Sequence, residues 1–174
     1  MRCLVLSDVH ANIDALDAVL ADAVRHGDLR VLMLGDLVGY GAAPNAVIER
    51  FMGLSVAAAI RGNHDRAACG LDDAESFNEV ARASALATGH MLTPAHREFL
   101  KRLPAGPLAV SALTEICHGS PFDEDQWYMG VMVPHSTAEA FGVEMASMKM
   151  ALSAPGSEDQ ATEVVPQVVV PLTS

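Results

Sequence analysis

Four short segments attach metal-binding side chains to the ends of apolar runs: Asp8-Val9-His10, Gly35-Asp36, Gly62-Asn63-His64-Asp65 and His118-Gly119. They supply five candidate metal ligands, Asp8, His10, Asp36, Asn63 and His118. Asp8 and His10, two residues apart, point to the same side of an extended segment and can share one cation. Asp36 has two oxygens and can bridge two cations, while Asn63 and His118 offer an amide oxygen and an imidazole nitrogen to the second. Mixed carboxylate, imidazole and amide donors suit Mn²⁺ first, with Fe, Zn²⁺ or Ni²⁺ as alternatives, and suit Ca²⁺ poorly. Two such ions about 3.5–4 Å apart clamp a phosphoryl group and supply hydroxide near neutral pH. That hydroxide attacks phosphorus in line with the leaving oxygen. His64 is placed to act as catalytic general acid for that oxygen, or else to orient the phosphate.

The elements around these segments follow from the pattern of apolar residues. Residues 3–6 form an apolar run without helical period, which predicts a buried strand. Asn12 then caps a helix whose positions Ile13, Leu16, Val19, Leu20, Ala23 and Val24 share one face, and Gly27 ends it. Residues 31–34 and 55–60 predict two more strands. Between them Pro44 opens a helix that runs to about Met52. Strand, helix, strand, helix, strand at this spacing implies a parallel α/β sheet with right-handed crossovers. Ligands of such sheets bind beyond the carboxyl ends of the strands, where the first three polar segments fall. Residues 74–102 read as two helices broken near Thr93-Pro94, and 108–110 with 114–117 as an antiparallel hairpin that delivers His118.

The chain has 174 residues, 51% hydrophobic and 19% charged, enough for one domain with a real core. It has neither a run of the roughly 20 apolar residues a membrane helix needs nor the pattern of a signal peptide near Met1. Cys3, Cys69 and Cys117 are odd in number and widely spaced, which fits small buried thiols in a reduced, cytoplasmic setting. A formal charge of −11 opposes stable binding of nucleic acid, whereas cations in the site would let a small phosphate ester in. His26, His90 and His96 read as surface or cap residues. Asp65 reads as a cap of the next segment or a hydrogen-bond partner behind a ligand, and Tyr40 and Asn12 as cleft residues. After about Trp127 the composition changes: methionines crowd 129–150, 153–163 is linker-like, and Val164 to Leu172 is at best an edge strand. The expected division is a core over 1–128 and a divergent, partly disordered tail over 129–174.

In this order, Asp8-Val9-His10-Ala11-Asn12, Gly35-Asp36-Leu37-Val38-Gly39-Tyr40-Gly41, Pro44-Asn45, Arg61-Gly62-Asn63-His64-Asp65 and His118-Gly119-Ser120-Pro121 resemble the calcineurin-like metallophosphoesterase superfamily, in its small bacterial phosphodiesterase branch. The resemblance covers residues 1–128. It implies a four-layer αββα sandwich, incomplete here on its C-terminal side, and a dinuclear metal site that hydrolyses phosphomonoesters or phosphodiesters. It also implies that Asp8 and His10 bind the first metal, that Asp36 bridges, that Asn63 and His118 bind the second, and that His64 contacts the scissile phosphate. Two features depart from the family. No Gly-His-x-His segment follows His118, where only His135 remains, so each metal lacks one imidazole. Gly39 stands where protein phosphatases of the superfamily carry an Asp that pairs with the catalytic His, which argues against protein phosphatase activity. The expected function is metal-dependent hydrolysis of a small phosphate ester, with weakened metal binding. The alternative is a non-catalytic or truncated protein of the same fold.

Overall fold

A computed structural model describes residues 2–112, 114–119, 144–146 and 167–169. Its centre is a parallel sheet of three strands in the order β1 (Cys3–Leu6), β2 (Arg30–Met33) and β3 (Val56–Ala59). The crossovers are α1 (Ile13–Ala23), extended by a 3₁₀ turn over Val24–His26, and α2 (Pro44–Met52). The Asn12 side chain accepts the Ala15 amide at 3.0 Å to start α1, and Pro44 occupies the first turn of α2. Because the strands run in parallel, all three polar loops leave the sheet at the same edge. Backbone bonds continue the alignment past the strand ends, from Leu34 N to Leu6 O (2.8 Å) and from Ile60 N to Met33 O (3.0 Å).

The two faces of this sheet bury different partners. Leu4, Leu6, Val31 and Met33 pack with Leu16 and Leu20 of α1 and with Val47, Ile48 and Phe51 of α2. Leu100 of α5 (Pro94–Arg102) joins the same cluster. On the other face Cys3, Val5, Leu32, Leu34 and Ala58 meet Leu108, Val110 and Ile116. These last three belong to the antiparallel hairpin of β4 (Leu108–Ser111) and β5 (Thr114–Ile116). Helices, sheet and hairpin therefore stack as successive layers, as expected of a mixed α/β sandwich that is incomplete on its C-terminal side. Beyond residue 119 the described residues are the paired strands β6 (Glu144–Ala146) and β7 (Gln167–Val169). The remaining expectations for the tail, and those for Ser120, Pro121, Trp127 and His135, lie outside the described residues.

Three expectations need correction, and one element has no counterpart among them. Asn63–Ala68 is a short helix, α3, which six residues with little apolar periodicity did not reveal. The segment expected to be helical from residue 74 begins as a loop, and α4 (Glu79–Met91) starts only after Asn78, whose side chain accepts the Ala81 amide at 2.9 Å. His96 is buried rather than on the surface. Its Nδ1 donates to Asn45 Oδ1 at 2.7 Å, and the same oxygen accepts the Thr93 amide at 3.0 Å, so Asn45 ties α2 to the junction of α4 and α5. Cys3 and Cys69 are buried thiols as expected, but Cys117 is only half-buried.

Asp65 is fully buried on α3 and holds the two central loops together. Its carboxylate accepts three amides, from Gly62 (3.0 Å), Leu37 (3.2 Å) and Val38 (3.0 Å). The sequence allowed Asp65 as a cap or as a partner behind a ligand. It caps its own helix through Gly62 and also anchors the 35–38 loop that carries Asp36. Burial, together with the charge of Asp36, pushes the Asp65 carboxyl up to about 6 against those three donors, which favour the ionised form. Asp65→Ala would leave three amides of these loops without their acceptor. The expected loss is on the order of 3 kcal/mol or more of unfolding free energy, read from a denaturant midpoint. A change below about 0.5 kcal/mol, the range of a neutral surface substitution, would show that the clamp is dispensable.

Candidate metal centre

The loop after β1 crosses to the loop after β2 through a ladder of backbone bonds. Asp8 N donates to Gly35 O (3.1 Å), His10 N to Asp36 O (2.9 Å) and Ala11 N to Leu37 O (2.9 Å). The ladder holds Asp8, His10, Ala11 and Asp36 at positive φ between 48° and 58°, and Tyr40, whose amide donates to Ser84 Oγ at 2.6 Å, shares that conformation at 52°. Residues other than Gly pay about 1–3 kcal/mol for such a conformation and keep it only where their surroundings impose it. Two glycines permit the close approaches. A Cβ on Gly35 would lie 2.6 Å from Gly62 N and 2.8 Å from His118 Nδ1. One on Gly39 would lie 2.7 Å from His64 Nδ1.

These constraints bring all six predicted site residues into one cluster. Donor atoms of Asp8, His10 and Asp36 lie within 4.8 Å of one another. His10 Nε2 is 3.6 Å from Asp8 Oδ1 and 3.8 Å from Asp36 Oδ2. His118 Nε2 is 3.4 Å from that same Asp36 Oδ2 and 3.3 Å from Asn63 Oδ1. The other oxygen of Asp36 accepts the His64 amide at 3.0 Å. Asp36 Oδ2 is thus the atom both imidazoles face.

Both imidazoles are oriented for coordination. His10 Nδ1 donates to Val38 O at 3.2 Å and His118 Nδ1 to Leu34 O at 2.8 Å, because a carbonyl can only accept. Each ring therefore turns Nε2 toward the carboxylates, the arrangement typical of a metal-binding histidine. Ser7 Oγ donates to Asp8 Oδ2 and fixes the last carboxylate. Three carboxylate or amide side chains and two imidazoles in this orientation fit divalent cations with mixed oxygen and nitrogen preference. The carboxylates of the cluster favour the protonated form of both imidazoles. Burial works against a charged His118, but Asp36 and Asp8 outweigh it and hold the imidazole up at about 9. His10 is likewise held above its usual range by Asp8 and Asp36, although burial opposes it. Asp8 lies below the usual carboxylate range: burial would raise it, but His10 and Ser7 prevail.

His64 differs from His10 and His118 in the direction of its shift. It is buried, and burial lowers its imidazole below the usual range. Its Nδ1 has no hydrogen-bond partner among the described residues. Rings pack around it instead, with centroids at 4.5 Å for Tyr40, 4.9 Å for Phe77 and 5.0 Å for His10. Beside it opens a cleft of about 270 Å³ lined by His10, Asp36, Tyr40, Asn63 and His64 and by Ser76, Phe77, Asn78 and Ala81. This places Tyr40 in the cleft, as the sequence suggested, whereas Asn12 is not among its lining residues. The 76–81 wall was missed, and its one available signal was a Ser-Phe-Asn stretch ahead of a helix start.

Comparison with known proteins agrees with this architecture. The chain is 37% identical over 100 residues to an uncharacterized protein of Methanocaldococcus jannaschii, a match that takes in 58% of this chain and 41% of the archaeal one. The crystal structure of a metallophosphoesterase from Sphaerobacter thermophilus superposes with a TM-score of 0.57 at 38% identity, over 71% of this chain and 49% of that one. The chain thus spans about half the length of the relatives it matches. The sequence profile described as calcineurin-like phosphoesterase matches residues 1–139. On that match, with its fold and strand-end motifs, the chain belongs to the calcineurin-like phosphoesterase family.

Proposed function

We propose that the core over residues 1–128 is a metal-dependent phosphoesterase domain acting on small phosphate esters, phosphodiesters foremost. The observation that carries this reading is the convergence of two Nδ1-anchored imidazoles on one carboxylate oxygen, Asp36 Oδ2. Asp8 and His10 would hold one cation, Asn63 and His118 the other, and Asp36 both. Bound there, two cations would neutralise phosphoryl charge and lower the pKa of water toward 7. The residues of the chain do the rest. The Asp65 clamp holds Asp36 on its loop, and the backbone ladder holds Asp8 and His10 against it. The cleft admits a phosphoryl group with a modest ester substituent, since about 270 Å³ is at the small end for ligand sites.

His64 Nδ1 is turned toward Gly39 and into the protein, so Nε2 is the nitrogen left for the cleft. A buried N–H without a partner costs more than a bare lone pair, which favours the proton on Nε2. An Nε2–H without a carboxylate behind it is a hydrogen-bond donor to a phosphoryl oxygen. We therefore prefer the orienting role of His64 to the general-acid role. The missing Gly-His-x-His segment keeps a second reading in view, a relative of the same fold that binds a phosphorylated ligand without turning it over.

Three outcomes follow for the purified chain. With Mn²⁺ it hydrolyses bis(p-nitrophenyl) phosphate, EDTA abolishes the reaction, and Asp36→Asn lowers kcat/KM by at least about a hundredfold. Metal binding without turnover would favour the binding protein instead. Mn²⁺ affinity, followed by calorimetry, rises as pH increases from about 6.5 to about 9, because the proton held on His118 must leave before Nε2 can coordinate. A flat profile over that range would remove His118 from the ligand set. Finally, His64→Ala costs on the order of a hundredfold in turnover, by a similar factor for nitrophenyl and phenyl leaving groups. A loss that grows with the leaving group's pKa would assign proton transfer to His64.

A further inference from the structure

The His64 ring has no hydrogen bond to fix its orientation within the described residues, yet the proposed chemistry needs it fixed. Its backbone amide is anchored on Asp36 Oδ1, but that bond leaves the side-chain torsions free. What confines the ring is contact. Gly39 crowds the Nδ1 edge, Tyr40 and His10 lie at 4.5 and 5.0 Å, and Phe77 closes in at 4.9 Å with its plane tilted by 49°. His10 is held by its Nδ1 hydrogen bond to Val38 O, and Tyr40 is 52% exposed at the mouth of the cleft. Phe77 is the half-buried ring contributed from outside the motif loops.

The segment that presents Phe77 is tied down along its length. Asp72 pairs with Arg66 of α3 at 3.0 Å and accepts the Ala74 amide at 2.7 Å. Asp73 Oδ1 accepts the Glu75 amide at 3.1 Å, and Phe77 N donates to Ala74 O at 3.3 Å. Ala74, fully buried, packs with Ala67 of α3 and Ala85 of α4, and the Phe77 ring packs against this small cluster. The 72–78 loop thus bridges α3, which begins at Asn63 and His64, to α4, which walls the cleft. We propose that Phe77 is a positioning residue: it sets the orientation of the His64 imidazole by ring packing, in place of a hydrogen-bonded partner at Nδ1. The proposal rests on His64 acting at the phosphoryl group, as argued above.

Nuclear magnetic resonance of the metal-free chain tests the packing independently of turnover. Cross-peaks between the His64 ring and the Tyr40 ring report its orientation without reference to Phe77. They are expected to be strong in the wild type and in Phe77→Tyr, weaker in Phe77→Leu, and lost in Phe77→Ala. Unchanged cross-peaks in a folded Phe77→Ala would overturn the proposal. Should Phe77→Ala fail to fold, unchanged cross-peaks in Phe77→Leu would do so. Kinetics separates this from the role of His64 itself. Phe77→Ala is expected to lower kcat on bis(p-nitrophenyl) phosphate by about tenfold, with KM and Mn²⁺ affinity held, because a small misplacement of an aligned group is enough for such a loss. In a His64→Ala background the same change should cost nothing further. A full tenfold loss in that background, or a rise in KM alone, would make Phe77 a substrate contact rather than a positioning residue. A His64→Ala chain as active as wild type would instead defeat the functional reading and leave the NMR result to judge the packing.

Discussion

One buried carboxylate holds the two loops that matter most. Asp65 takes amides from Gly62, Leu37 and Val38, and by doing so fixes the distance between the loop after β2 and the start of α3. Asp36 and His64 are the functional side chains nearest that clamp, and the His64 amide bonded to Asp36 Oδ1 links them a second time. Removing a clamp of this kind leaves unpaired polar groups where water cannot reach them. A structural carboxylate with no place among the ligands therefore underlies the geometry of the ligands.

The site stores strain and charge together. Asp8, His10 and Asp36 hold left-handed backbone conformations within four residues of strand ends, and the backbone ladder between the two loops keeps them there. Asp8 and Asp36 hold the His10 and His118 imidazoles above their usual range, so the clustered carboxylates favour protons on both rings. Cations bound as proposed would compete with protons for the same nitrogen atoms, which would couple pH and metal at this site. Burial lowers the His64 imidazole, whereas its neighbour His10, with ring centroids five ångströms apart, is shifted upward by the carboxylates.

The parallel sheet was legible because its strands are short apolar runs that each stop at a polar segment. Strand 3–6 and the capped helix after Asn12 carried the clearest signals, since burial and capping are local properties of sequence. The five candidate ligands were legible for a related reason: each sits two to four residues past a strand end, where topology dictates convergence. Other features were not local. Asn63–Ala68 is too short to display a helical period, and its first turn is defined by Asp65 reaching back to Gly62. His96 looked like a surface residue until Asn45, 51 positions away, supplied its partner. Phe77 falls in a segment that reads as helical but is a loop, and only the fold places its ring on His64. The double duty of Asp65 likewise depends on amides 27 and 28 positions away.

The central claim is that Asp36 joins two cation positions, one completed by Asp8 and His10 and the other by Asn63 and His118. Anomalous diffraction from crystals of the Mn²⁺-loaded chain tests it directly. The account predicts two manganese peaks about 3.5–4 Å apart, both within coordination distance of Asp36. A single peak that leaves Asn63 and His118 unengaged, or no peak beside Asp36, would contradict it.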